Sequence, residues 1–230
     1  MENLTEPLIR VEHLYFKYPG DEDYILKDIN FEIYSGEYVV ISGPRGEGKS
    51  TLLKILAGIL PVENGTLFYN NLNLKGVGKK KLMKFHRKTS FVFQDSALIS
   101  NLNVFDNIAL PLRYNEIYPE EEIQRKVENF IKIINMECDK NQLPAFISIG
   151  QRKLVSLARA LIVEPETIFY DEPIANLDKA SRDLVLNLIN ERNKKGVTSI
   201  IVAHELEEFE PYWTKFIELK DRTVHKILKK

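Results

Sequence analysis

The sequence predicts an α/β fold: a mainly parallel sheet flanked by helices, with a helical segment inserted near its middle. Three observations predict it. Tyr38-Val39-Val40-Ile41 is a short apolar run that leads into the glycine-rich stretch Gly43 to Ser50 and then into a helical pattern. Such a run suits a strand covered on both faces, as in a parallel sheet. The pattern turns helical in the middle of the chain, and strand-like runs return at Thr167-Ile168-Phe169-Tyr170 and Thr198-Ser199-Ile200-Ile201-Val202. A helical insertion over roughly residues 96–157, within one domain spanning 1–230, is the simplest account of that order.

The elements follow in turn. Ile9 to Leu14 and Phe31 to Ile33 alternate in the strand manner. After the glycine-rich stretch, Leu52, Leu56, Ile59 and Leu60 share one helical face, and Pro61 is expected to end that helix. Pro119 followed by Glu120-Glu121-Glu122 reads as a helix start, with carboxylates at the positive end of the dipole. Ile123, Val127, Phe130, Ile131 and Ile134 then make an apolar stripe. Another helix is expected from about Ile149 to Val163. Lys215 to Leu219 and Val224 to Ile227 read as a closing hairpin.

Bulk composition bounds the function. A chain of 230 residues is enough for one substantial domain, or a core with an inserted subdomain. Lys+Arg (32) nearly cancels Asp+Glu (33), so no basic excess points to nucleic acid and no nucleic-acid partner is expected. Cys138 is the only cysteine, which rules out an intrachain disulfide or a multi-cysteine metal site. The N-terminal residues lack the basic start and apolar run of a secretion signal. No apolar stretch approaches the ~20 residues of a membrane span. Work at a membrane would therefore require docking onto another subunit.

The chemistry concentrates in two places. Gly43-Pro44-Arg45-Gly46-Glu47-Gly48-Lys49-Ser50 matches Gly-x-x-x-x-Gly-Lys-Ser, between a strand and a helix. Glycines let successive N–H groups turn inward onto phosphate, and the helix that continues through Thr51 adds its positive end. Lys49 can reach the β- and γ-phosphates, and the Ser50 hydroxyl can ligate Mg²⁺. ATP and Mg²⁺ are the expected ligands. Asp171 and Glu172 end an apolar strand, where ligands bind in open α/β sheets. Asp171 would hold Mg²⁺ through water, and Glu172 would orient or deprotonate an attacking water.

With these motifs in place the chain resembles ATP-binding cassette (ABC) ATPases over nearly its whole length. Phe91-Val92-Phe93-Gln94 is similar to the strand ending in that family's Q-loop glutamine. Ile147-Ser148-Ile149-Gly150-Gln151, followed by Leu157-Ala158-Arg159-Ala160-Leu161, resembles the Leu-Ser-Gly-Gly-Gln signature. Asp171-Glu172-Pro173 resembles Walker B, Ile174-Ala175-Asn176-Leu177-Asp178 the D-loop, and His204 the switch histidine. The resemblance implies an ABC-type P-loop NTPase core with an N-terminal antiparallel β-subdomain and an inserted α-helical subdomain. It implies that Tyr18 stacks on adenine and that Gln94 senses Mg²⁺ and the membrane subunit. Glu172, His204, Lys49 and Gln94 are then catalytic, and Ser50, Gln94 and Asp171 serve the metal. Ser148, Gly150 and Gln151 would close over ATP bound to a second ATPase subunit, a homodimer being favoured. The implied partner is an integral membrane permease, and the implied location is cytoplasmic, peripheral on the inner face of the cell membrane.

Two departures stand out. Ile149 replaces the first signature glycine, and Leu154 stands where the family has an arginine. Either Ile149 turns away and activity is merely lowered, or the signature face is degenerate. The intact Glu172 and His204 favour an active enzyme. The segment from Ser96 to Leu112 resembles the ATPases of lipid-asymmetry maintenance transporters, which implies phospholipid as cargo. It is less like the cell-division and lipoprotein-release ATPases. A catalytically weak partner in a heterodimeric pair is the remaining alternative. Leu98, Val104, Phe105 and Ile108 in this segment also suit simple packing.

Overall fold

The computed structural model describes residues 6–116, 118–204 and 206–230. Its centre is a six-stranded sheet. The order runs β10 (Thr223–Lys229), β9 (Lys215–Lys220), β3 (Tyr38–Ser42), β8 (Thr198–Val202), β7 (Thr167–Asp171), β6 (Thr89–Val92). All neighbours are parallel except the hairpin β9–β10. Strands β3, β7 and β8 are buried along their whole length. That explains why these three read as continuous apolar runs rather than as alternating ones.

A second, antiparallel sheet joins β2 (Leu26–Ile33), β1 (Ile9–Phe16), β4 (Asn64–Tyr69) and β5 (Leu72–Asn73). The two sheets enclose α1 (Lys49–Leu56) in one core, where Val39, Ile41, Phe169, Ile200 and Val202 meet Leu52, Leu53 and Leu56. On the other face, Val40, Ile168, Tyr170 and Ile201 pack against α5 (Ile149–Leu161) and α6 (Lys179–Lys194). The period of two along each strand divides its side chains between the two cores.

The first helix corrects the sequence expectation. It stops at Leu56, well short of Pro61. Gly58 adopts φ 66°, the Gly58 N–H donates to the Ile55 carbonyl, and the Ile59 N–H donates to the Lys54 carbonyl, both at 2.9 Å. This is a Schellman stop, in which a left-handed glycine satisfies the last carbonyls. Ile59 is turned out, 43% exposed, and does not continue the stripe. Among the helices the sequence did not mark individually is α2 (Lys79–His86), which showed only as a lysine cluster and buries Phe85 alone.

Between β6 and β7 the described chain contains only helices: α3 (Val104–Asn115), α4 (Glu120–Ile133), a single 3-10 turn (Pro144–Phe146) and α5. The expected stripe Ile123, Val127, Phe130, Ile131 and Ile134 is buried. Asn107, fully buried on α3, organises the stretch before that helix. Its Nδ2 donates to the carbonyls of Ile99, Leu102 and Asn103, and its Oδ1 accepts from the Ile99 N–H. Arg159 of α5 donates to the Ser96 carbonyl at 2.9 Å. Val104 and Ile108 are core residues, whereas Leu110 and Tyr114 line an apolar groove of about 490 Å³ against Phe91 and Phe93.

Candidate active site

The loop between β3 and α1 is shaped by glycines that no other residue could replace without strain. Gly43 sits at φ 140°, and a Cβ there would lie 2.1 Å from the Leu219 carbonyl oxygen. Gly48, at φ 81°, caps α1 and would press on Ile25 and Leu26. Both conformations fall where side chains are disfavoured. The loop thus wraps the N-terminus of α1, whose free N–H groups and positive dipole end face the concavity.

Lys49 is 5% exposed, and its ammonium donates to the carbonyls of Gly43 (2.8 Å) and Pro44 (2.7 Å). Burial lowers its pKa, while the carboxylates of Glu172, Glu47 and Asp171 oppose that shift. Glu47 turns away from the loop's hollow and accepts from the Arg222 N–H at 2.6 Å, tying the loop to the β9–β10 hairpin.

Across the sheet, β7 delivers the carboxylate pair. The Ser50 hydroxyl donates to Asp171 Oδ1 at 2.7 Å, and Asp171 is 4% exposed. Burial raises the Asp171 pKa, with the Ser50 hydrogen bond acting against it. A nearly dry carboxylate with one hydroxyl partner is a site that favours a cation. Among the described residues no group of three or more His, Cys, Asp or Glu gathers into a metal cage. Mg²⁺ does not need one, since it takes one or two protein oxygens and completes its shell with water and phosphate. Ser50 and Asp171 fit that requirement.

Asp171→Asn tests this electrostatic arrangement. A carboxyl whose folded pKa lies above its ordinary 3.8 stabilises the fold below that value. The contribution is lost as pH rises through the folded pKa. In nucleotide-free protein the substitution should therefore raise the melting midpoint at pH 7, with the gain vanishing in acid. The extra stabilisation by Mg²⁺-ATP over ATP alone should disappear in the same variant. Thermal melts at two pH values check both statements.

Glu172 follows directly, in a left-handed conformation (φ 48°) that costs a non-glycine residue about 1–3 kcal/mol. Its carboxylate is held at both oxygens. Gln94 Nε2 donates to Oε2 at 3.2 Å, and His204 Nε2 lies 3.0 Å from Oε1. Arg45, Lys49, Ser50, Gln94, Glu172 and His204 all line one polar concavity of about 560 Å³. The structure thus gathers residues separated by more than 150 positions in the chain.

One expected residue stands outside this lining. Tyr18 does not line this concavity. Its hydroxyl pairs with Thr51 Oγ1 at 3.1 Å, and its ring packs edge-to-face on Phe16 at 5.1 Å. Ile25 stands in the wall instead. The sequence held no signal for it, since an apolar residue just before β2 looks like any strand lead-in.

Ser148, Gly150 and Gln151 lie elsewhere, at the start of α5. Ser148 caps the helix by accepting from the Gln151 N–H (3.1 Å), and the Ser148 N–H in return donates to Gln151 Oε1 (2.8 Å). This reciprocal box fixes the helix start. Gly150 packs against α6, where a Cβ would lie 3.3 Å from Ser181 Oγ. Ile149 points outward and is 59% exposed, while Leu154 is buried at 6%.

Comparison with known proteins places this geometry. The family described as "ABC transporter" matches residues 26–175. An ABC transporter ATP-binding protein of Methanocaldococcus jannaschii is 37% identical over 89% of this chain and 91% of its own length. The methionine import ATP-binding protein MetN of Wolinella succinogenes is 35% identical over 80% of this chain and 60% of its own. Among solved structures, an ATP-binding cassette dimer in a post-hydrolysis state with ADP and phosphate superposes with TM-score 0.89. It is 30% identical, covering 96% of this chain and 98% of that one. Clostridium perfringens cbiO1, part of an ABC transporter complex, superposes with TM-score 0.82 at 31% identity, covering 97% of this chain and 88% of that one.

Proposed function

The chain belongs to the ABC transporter family of ATP-binding cassettes and is an ATPase acting on ATP with Mg²⁺; from that premise we propose that two copies close around ATP to drive a separate membrane permease that moves phospholipid. No described helix is long and apolar enough to cross a membrane, so the coupling surface must be a docking one. We place the chain on the cytoplasmic face of that permease.

The observation that carries the enzymatic reading is the Glu172 carboxylate, held between His204 and Gln94 at the lip of the phosphate loop. Phosphoryl transfer requires mainly positioning and charge neutralisation. In this reading Lys49 and the α1 N-terminus hold the phosphates, and Ser50 and Asp171 hold Mg²⁺. The metal supplies charge neutralisation on the phosphate oxygens. Glu172 takes the proton of the attacking water, and His204 and Gln94 fix the angle of its carboxylate. Ser148 and Gly150 present the α5 N-terminus to the ATP of the second copy. With Ile149 in place of the first signature glycine, the Ser148 cap and the start of α5 are still formed.

The cargo proposal rests on the segment from Ser96 to Leu112, whose sequence resembles lipid-transport ATPases and whose Leu110 opens onto the apolar groove. It is tested by purifying the chain with its permease and reconstituting the complex in vesicles. Expected is ATP-dependent movement of labelled phospholipid between membranes or leaflets. Methionine-stimulated ATPase without lipid movement would overturn the cargo and favour the import function carried by the MetN relatives.

A further inference from the structure

We infer that Lys153 is a positioning residue for hydrolysis, an ammonium clamp that ties the α5 helix to the backbone of Glu172 and so sets where the Glu172 carboxylate stands. This rests on the reading of Glu172 as the base.

Lys153 is one turn into α5 and 6% exposed. A lysine that deep would be costly unless its ammonium were engaged. It donates to the Glu172 carbonyl at 3.0 Å and to the Ala175 carbonyl at 2.6 Å. Both acceptors belong to one turn, in which the Ala175 N–H also donates to the Glu172 carbonyl at 3.3 Å with Pro173 between them. The clamp grips a strained position, because Glu172 is in the left-handed region without being glycine. Such conformations persist only where surrounding contacts over-determine them. On the N-terminal side the Glu172 N–H donates to the Val202 carbonyl of β8 at 3.0 Å. The residue is thus pinned from the sheet through its N–H and from α5 through its C=O. Burial lowers the Lys153 pKa, and the Glu172 and Asp171 carboxylates act in the opposite direction.

The consequence is connectivity. Helix α5 is capped by Ser148, the group assigned to a second copy's ATP, and one turn later it grips this copy's own Glu172. A shift of α5 on closing over the neighbouring nucleotide is carried to the Glu172–Ala175 turn by two bonds, one of them to Glu172 itself. Lys153 therefore links the two nucleotide sites of a dimer through one rigid helix, and it does so without touching nucleotide.

The test uses the full chain and three substitutions, Lys153→Met, Lys153→Arg and Glu172→Gln, each measured for steady-state ATPase, ATP binding and melting midpoint. Lys153→Met keeps length and burial but removes the donors. It should lower kcat by about 10- to 100-fold, the scale of a misplaced catalytic group, with ATP binding and KM unchanged. Lys153→Arg, which restores a cationic donor, should recover much of the rate. A normal kcat in Lys153→Met beside an inactive Glu172→Gln overturns the clamp and leaves the Glu172 assignment standing. Wild-type turnover in Glu172→Gln overturns that assignment and the clamp with it. Loss of ATP binding and of the melting transition in both Lys153 variants would make the residue merely structural, and also overturns the inference.

Discussion

Glu172→Gln is expected to lower ATP turnover by about 10²–10⁴, the usual worth of a positioned general base, while leaving ATP bound. The amide can keep one contact to Gln94 and one to His204, so the lip of the pocket holds its shape. It cannot accept a proton at the pH of the assay. With hydrolysis blocked and binding intact, the variant should accumulate as an ATP-held dimer. Size-exclusion chromatography with and without ATP reads this directly. A stable homodimer establishes that a signature carrying Ile149 closes over nucleotide. A variant that remains monomeric at saturating ATP would instead require a different cassette as partner. Unimpaired hydrolysis would remove Glu172 from the mechanism altogether.

Lys49→Met should fail in the opposite way, losing nucleotide rather than turnover alone. Its ammonium is buried and rests on the Gly43 and Pro44 carbonyls, poised beside the α1 N-terminus. Removing a charge-neutralising donor from such a site costs about 2.7–4 kcal/mol, or roughly 10²–10³ in rate. Weaker binding of ATP should accompany the slower reaction, because the lysine holds the phosphates in the ground state and neutralises further charge that develops only in the transition state. Equilibrium titration with a fluorescent ATP analogue separates the two variants. Glu172→Gln should titrate like wild type, and Lys49→Met should not. Because burial already disfavours the charged lysine, the nucleotide-free Lys49→Met protein should melt no lower than wild type.

The cassette geometry also explains which parts of the site could be read early. The loop from Gly43 to Ser50 is contiguous and its residue types are dictated by close backbone approach, so spacing alone exposes it. Asp171 and Glu172 sit at the end of a run buried on both faces, and that run is equally plain in sequence. Ile25 and Lys153 are different. Each is an ordinary residue for its element, and each matters only because of what the fold places beside it. The early end of α1 has the same origin. Gly58 carries the stop, but the leucine and isoleucine stripe continues past it and masks the boundary until backbone geometry is seen.

Local rules were therefore enough for the strands β3, β7 and β8, for the phosphate loop, and for the stripe on α4. Burial on both faces, close approach to a carbonyl and amphipathic periodicity each demand particular residues at short spacing. The three-dimensional fold alone decided that Gln94 and His204 both meet Glu172 within hydrogen-bonding distance, that the Tyr18 hydroxyl pairs with Thr51, and that Ile149 faces outward. Those facts depend on which strand lies beside which and on how α5 is rotated. Contacts between residues far apart in the chain leave no period or spacing for a single sequence to display.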